Sequence, residues 1–137
     1  RSLSSAASDV YKRQALSFLG NTEEFDEELF ALITAISGSG PAWFYELSNQ
    51  LVKSATKLGM NENDATNLIK GLIKALPNLI NEDDTFDELV NKVKSPKGTT
   101  EAGLNSLIVD NFDNIIFNAI RQATNRSIEI STELKNE

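Results

Sequence analysis

Apolar positions recur along this chain at the spacing of an α-helix almost from end to end. Phe25, Leu29, Leu32, Ile33 and Ile36 fall on one stripe. The segment "SGSGP", residues 37–41, then predicts a stop, with Gly38 and Gly40 as breakers and Pro41 suited to the first turn of the next helix. That helix carries Phe44, Tyr45, Leu47, Leu51, Val52, Ala55 and Leu58 and is expected to end at Gly59, a natural left-handed cap. A third starts around Asn61 to Asp64, acidic as a helix start should be, and carries Ala65, Leu68, Ile69, Leu72, Ile73 and Leu76 until Pro77 kinks or ends it. A short helix with Phe86, Leu89, Val90 and Val93 follows the acidic turn "NEDDT". One from about Thr100 to Asp110 precedes a long last helix through Phe112, Ile115, Ile116, Ala119, Ile120, Ala123 and Ile128. Nothing alternates with period two, so the pattern predicts an all-α domain, a bundle of about six helices without an internal repeat.

Several of these faces are wide. "FDNIIFNAI", residues 112–120, offers Phe112, Ile115, Ile116, Phe117 and Ile120, more than one stripe, and a helix apolar nearly all round belongs in a core or a subunit interface. A chain this short cannot enclose several such helices by itself, which predicts an obligate helical dimer over the alternative of a compact monomeric bundle.

The first residues alter the picture. "SSAASDVYKRQ", residues 4–14, back-translates codon for codon into a common transposase-type sequencing adapter, so residues 1–14 are taken as a translated artefact and excluded from fold reasoning, and residues 15–137 as the helical domain. Arg1, Lys12 and Arg13 outnumber Asp9 by two within a chain total of -7, which leaves about -9 on the remainder. That remainder is one domain's worth of chain, long enough to remove about two thirds of its unfolded surface from water. A domain this acidic, with no basic cluster interleaved with aromatics, is a poor match for nucleic acid or anionic lipid. Cysteine and histidine are both absent, which removes disulfides, thiol nucleophiles, Cys/His zinc sites and imidazole acid/base chemistry together. No apolar run approaches the roughly 20 residues needed to span a bilayer. The expectation is a cytoplasmic protein without metal or membrane.

Two glycine-containing segments carry candidate chemistry. "SGSGPAW" supplies G-x-G at Gly38 and Gly40 but has Trp43 where a dinucleotide fingerprint needs a third glycine or alanine, and a helix precedes it rather than a strand. It reads either as a tight turn or as a close backbone approach to a ligand. In "SPKGTTEAGL", residues 95–104, Ser95-Pro96 favours an extended approach, Gly98 frees the backbone, and Thr99 and Thr100 stand at a helix start, where unpaired N–H groups and the positive end of the helix dipole converge. That describes a small anion site with a hydroxyl beside it, or a threonine N-cap. The carboxylates of Glu23, Glu24, Asp26, Glu27 and Glu28, and of Glu82, Asp83 and Asp84, read as solvated helix starts and turns.

"ITAISGSGPAWFYEL", residues 33–47, and "VKSPKGTTEAGLNSL", residues 93–107, together resemble the two signature segments of the C-terminal domain of pyrroline-5-carboxylate reductases, in order and at the family's separation. "AIRQATNRSIEI" is similar to the family's last helix. The resemblance implies a dimerisation domain of the 6-phosphogluconate-dehydrogenase C-terminal type, with a Rossmann domain expected upstream of Ala15 and no activity without it. It implies reduction of 1-pyrroline-5-carboxylate to L-proline with hydride from NADPH or NADH, at a site between the nucleotide domain and the helical domains of a homodimer or an oligomer of dimers. Residue by residue, it places the substrate carboxylate on backbone N–H groups of Gly98 and Thr99, makes Thr100 catalytic through a hydroxyl that orients the imine and helps deliver its proton, and sets Ser37, Gly38 and Gly40 against the nicotinamide. Lys97 stands where the family usually has its first glycine, Lys94 where a small or hydroxyl residue is common, Trp43 replaces Tyr, and Pro77 interrupts a helix that is usually continuous. Two other readings are a stand-alone helical interaction module, whose threonines are caps, and the helical tail of a related dehydrogenase with another substrate.

Overall fold

The computed structural model describes residues 23–81 and 83–136. The adapter-like segment 1–14, residues 15–22 and Glu82 of the acidic turn lie outside these. The described residues are helical, with no strand among them. The chain divides into two units, Arg1–Phe30 and Ala31–Glu137. Of the first, the described part is exposed and acidic: residues 23–26 are irregular and a 3-10 turn spans Glu27–Leu29, so the helical backbone starts two residues after Phe25. The acidic run does begin a helical segment, although Asp26 caps it without a side-chain hydrogen bond.

The prediction that "SGSGP" breaks the chain into two helices is overturned. After α1 (Phe30–Ile33), a π-helical turn at Thr34–Gly38 runs without interruption into α2 (Ser39–Lys57), so Gly38 and Gly40 lie inside helical backbone. Glycine in a helix costs only about 1 kcal/mol, which neighbouring turns can offset. Proline's ring would crowd the carbonyl four residues before it in a regular α-helix. A π-helical turn takes in one extra residue just ahead of Pro41 and relieves that crowding.

The other boundaries follow their capping residues. α2 ends in a Schellman motif: Gly59 has φ 102°, its N–H donates to the Thr56 carbonyl at 3.0 Å, and Met60 N–H donates to the Ala55 carbonyl at 3.1 Å. Asn61 caps α3 (Glu62–Ala75), its side-chain oxygen accepting from the Asn63 and Asp64 amides at 2.9 and 3.4 Å. Pro77 ends α3, and the backbone tightens into a 3-10 turn at Leu76–Leu79. Thr85 and Glu88 form a reciprocal capping box at the start of α4 (Phe86–Val93). α5 spans Thr99–Val109, and Asn111, at φ 55°, turns the chain into α6, Phe112–Lys135.

Within Ala31–Glu137, α2 packs on α3, the π-helical turn packs against α6, and α5 against α6. The half-buried stripe of α6 is made of Ala119, Ile120, Ala123, Thr124 and Ser127, mostly small side chains that let another backbone come close. Ala35 of the π-helical turn, Gly40 and Ala65 are buried, and no large side chain among the described residues is. Phe44, Ile108, Ile115 and Phe117 are 71, 72, 59 and 60% exposed. An apolar groove of about 640 Å³ runs between Phe44, the end of α3 and α4, lined by Ile73, Leu79, Ile80, Phe86 and Val93. Each such side chain gains roughly 1.5–3 kcal/mol when it leaves water, so faces this extensive call for a covering surface. No helix among the described residues is long and apolar enough to cross a membrane.

Candidate functional site

The start of α5 is built by the turn at residues 95–98. Gly98 N–H donates to the Ser95 carbonyl at 3.0 Å, closing a turn in which Lys97 adopts the left-handed conformation, φ 57°. Gly98 itself is extended, φ -87° and ψ 174°, so conformation does not require glycine there; space does. A Cβ at this position would run into the Ser95 hydroxyl and come within 3.0 Å of the Ser95 carbonyl oxygen.

Gly98 is also the N-cap, so the helix begins one residue earlier than its apolar pattern predicts and neither threonine caps it. Thr99, Thr100 and Glu101 occupy its first turn. Their N–H groups donate to nothing among the described residues, since the first internal bond runs from Ala102 N–H to the Gly98 carbonyl at 3.2 Å. Neither threonine hydroxyl makes a hydrogen bond within the described residues, and Thr100 is half-buried where Thr99 is exposed. Three unpaired amides therefore lie at the positive end of a helix beside two unengaged hydroxyls. This is the arrangement that accepts a small anion. Because Gly98 N–H is already donated to Ser95, the open amides are those of Thr99, Thr100 and Glu101 rather than Gly98 and Thr99.

One side chain that the sequence does not single out completes the turn. Glu101 folds back so that its Oε2 accepts the Lys97 N–H at 2.7 Å, while its Oε1 lies 3.5 Å from Lys94 Nζ. The Lys97 amide, with a smaller contribution from Lys94, holds the Glu101 carboxyl below its ordinary value. A signal was present: glutamate three residues after a helix cap is the partner in a capping box.

Ser37, Gly38 and Gly40 form the second candidate group. Ser37 and Gly38 are exposed on the π-helical turn, the Ser37 hydroxyl donating to the Ile33 carbonyl at 2.8 Å, and Gly40 is buried. A Cβ at Gly38 would meet nothing within 4 Å among the described residues beyond its own neighbours and helix backbone. Across the fold this turn packs against α6, and α5 is not among its principal neighbours. Among the described residues, no group of three or more Asp, Glu, His or Cys side chains is placed to hold a metal ion.

The sequence pattern of the pyrroline-5-carboxylate reductase dimerisation family matches residues 27–130, across both candidate groups. The chain belongs to that family. It is 37% identical over 113 residues to the pyrroline-5-carboxylate reductase of Staphylococcus haemolyticus, covering 82% of this chain and 42% of that protein. The Staphylococcus saprophyticus reductase is 31% identical over 121 residues, 88% of this chain and 45% of the relative. Among solved structures, the pyrroline carboxylate reductase of Plasmodium falciparum with NADP bound superposes with TM-score 0.73 at 29% identity, over 87% of this chain and 46% of the other. The Streptococcus pyogenes reductase gives 0.71 at 26% identity, over 84% of this chain and 45% of the other. The chain thus spans less than half the length of the relatives it matches.

Family membership gives the exposed apolar faces a cause, since this is a domain through which chains associate. Position 97, where the resemblance puts a glycine, is where the backbone is left-handed and a residue with a Cβ is strained. In this chain a lysine sits there, and Glu101 holds its amide.

Proposed function

We propose that this chain supplies the substrate-binding turn and the pairing surface of a cytoplasmic, homodimeric enzyme that reduces 1-pyrroline-5-carboxylate to L-proline. The observation that carries the reading is the unfinished start of α5: three amides and two threonine hydroxyls without partners among the described residues, at the family's second signature segment. The substrate carboxylate would sit on the Thr99 and Thr100 amides, with Gly98 leaving the turn room to close. Thr100, half-buried, would direct its hydroxyl to the ring nitrogen, orienting the imine and passing it a proton as the adjacent carbon is reduced.

NADPH or NADH supplies the hydride when bound. The described residues offer it a face rather than a grip: Ser37 and Gly38 are exposed, with open space around Gly38, whereas no strand leads into a glycine-rich phosphate loop among them. Ser37 and Gly38 would let the nicotinamide come close, and Gly40, buried in the first turn of α2, would line the same approach. The separation of this group from the α5 turn fits a pocket assembled from more than one chain.

The test is an assay of the enzyme expressed from its complete reading frame. Proline formation from 1-pyrroline-5-carboxylate with NADPH or NADH is expected, falling by about two orders of magnitude in Thr100→Ala with the dimer intact. Full activity in that variant would favour the helical interaction module instead.

A further inference from the structure

We infer that Glu101 is a positioning residue for the substrate carboxylate: it clamps the Lys97 amide, fixes the left-handed turn, and thereby aims the Thr99 and Thr100 amides. The inference rests on the carboxylate site proposed above. A lysine at φ 57° occupies a conformation that glycine takes freely and a side chain with a Cβ resists, so the turn needs a local bond to prefer it over extended alternatives. That bond is the 2.7 Å contact from Lys97 N–H to Glu101 Oε2. Among the described residues the Lys97 amide has no other acceptor, because the turn's backbone bond is made by Gly98. Lys94 Nζ, 3.5 Å from the other carboxylate oxygen, offsets a negative charge that would otherwise oppose an incoming anion at the same helix end. Glu101 is the N3 residue of α5, yet its oxygen bypasses the Gly98 amide for the one before it, and so acts on the strained residue.

Three substitutions in the complete enzyme isolate this role. Glu101→Ala is expected to raise KM for 1-pyrroline-5-carboxylate about fivefold, the scale of a lost helix-terminal bond, with kcat and the cofactor KM within about twofold. Glu101→Gln, which retains an acceptor, is expected to lose less. Lys97→Gly in the Glu101→Ala background should bring KM back to within about twofold of the parent, because glycine holds the left-handed conformation unaided. Amide hydrogen exchange at Lys97 should speed in Glu101→Ala whether or not substrate binds there. Unchanged exchange would overturn the clamp itself. Faster exchange with an unchanged KM would overturn the positioning role; if Gly98→Ala also left KM unchanged, the carboxylate site would fall with it. A raised KM that Lys97→Gly does not restore would assign the effect to charge and reject the turn.

Discussion

Two helices of this chain begin with the same chemistry and end with opposite results. At α4, Thr85 and Glu88 satisfy each other: the Thr85 amide and hydroxyl both donate to Glu88 Oε2 at 2.8 Å, and the Glu88 amide donates back to the Thr85 hydroxyl at 3.3 Å. Asp84 extends this closed start through a 2.6 Å ion pair with Lys92 and a 3.0 Å hydrogen bond from the Asn81 side chain. At α5 the cap is glycine, so no hydroxyl is available to accept, and the glutamate three residues on bonds Lys97 instead. The threonines that could have capped this helix are displaced into its first turn with their hydroxyls unengaged. The α4 start satisfies itself, whereas the α5 start leaves donors open at the segment for which a carboxylate site is proposed; α6 also lacks a side-chain cap, so it is the family's signature segment that singles out α5.

The largest effect that could break this contrast is on turnover. Thr100→Ala should remove about two orders of magnitude of activity from the complete enzyme, while its effect on the urea midpoint of the dimer stays within about 0.5 kcal/mol, because no capping bond is lost. Gly98→Ala comes next. Its Cβ meets Ser95, so the turn must open, at about 1–3 kcal/mol in stability and about tenfold in KM for the substrate, readable by urea unfolding and steady-state kinetics. Thr85→Ala is the mirror case, expected to cost about 1 kcal/mol of stability and to leave kcat/KM unchanged.

The smallest effect is acid sensitivity. The Thr85 amide, and after it the Thr85 hydroxyl that Thr85→Ala removes, hold the Glu88 carboxyl below its ordinary value of 4.5, and the Lys97 amide does the same for Glu101. A depressed carboxylate contributes stability that is present above 4.5 and lost as pH falls through the folded value. Urea midpoints should therefore decline on acidification below about pH 4.5, less steeply in Thr85→Ala and with the parent slope in Thr100→Ala.

Much of the fold was legible because its punctuation is local. Gly59, Asn61 and Pro77 each terminate or start a helix through their own backbone or side-chain chemistry, and the apolar stripes between them repeat at 3.6 residues. "SGSGP" misled for an equally local reason. Two glycines and a proline weaken a regular α-helix, but a π-helical turn accommodates them, and the packing of that turn on α6 decides the outcome. The candidate residues at 98–100 stood out through residue type and family resemblance. The donors actually open at the turn did not, because they depend on which carbonyl takes the Gly98 amide. Glu101 was hidden because G-x-x-E reads as an ordinary helix start until the conformation of Lys97 is known. How Ser37 and Gly38 lie relative to the α5 turn was not legible either, because it depends on the packing of both segments against α6.

The proposed role of the α5 start is to bind a carboxylate through its backbone. The most direct measurement follows the amide resonances of the complete, isotopically labelled enzyme as L-proline is added, with L-prolinamide as the control. Saturable shifts are expected at Thr99 and Thr100 with L-proline, much weaker ones with L-prolinamide, and none at Glu88. No shift at Thr99 and Thr100, or equal shifts with both compounds, would contradict it.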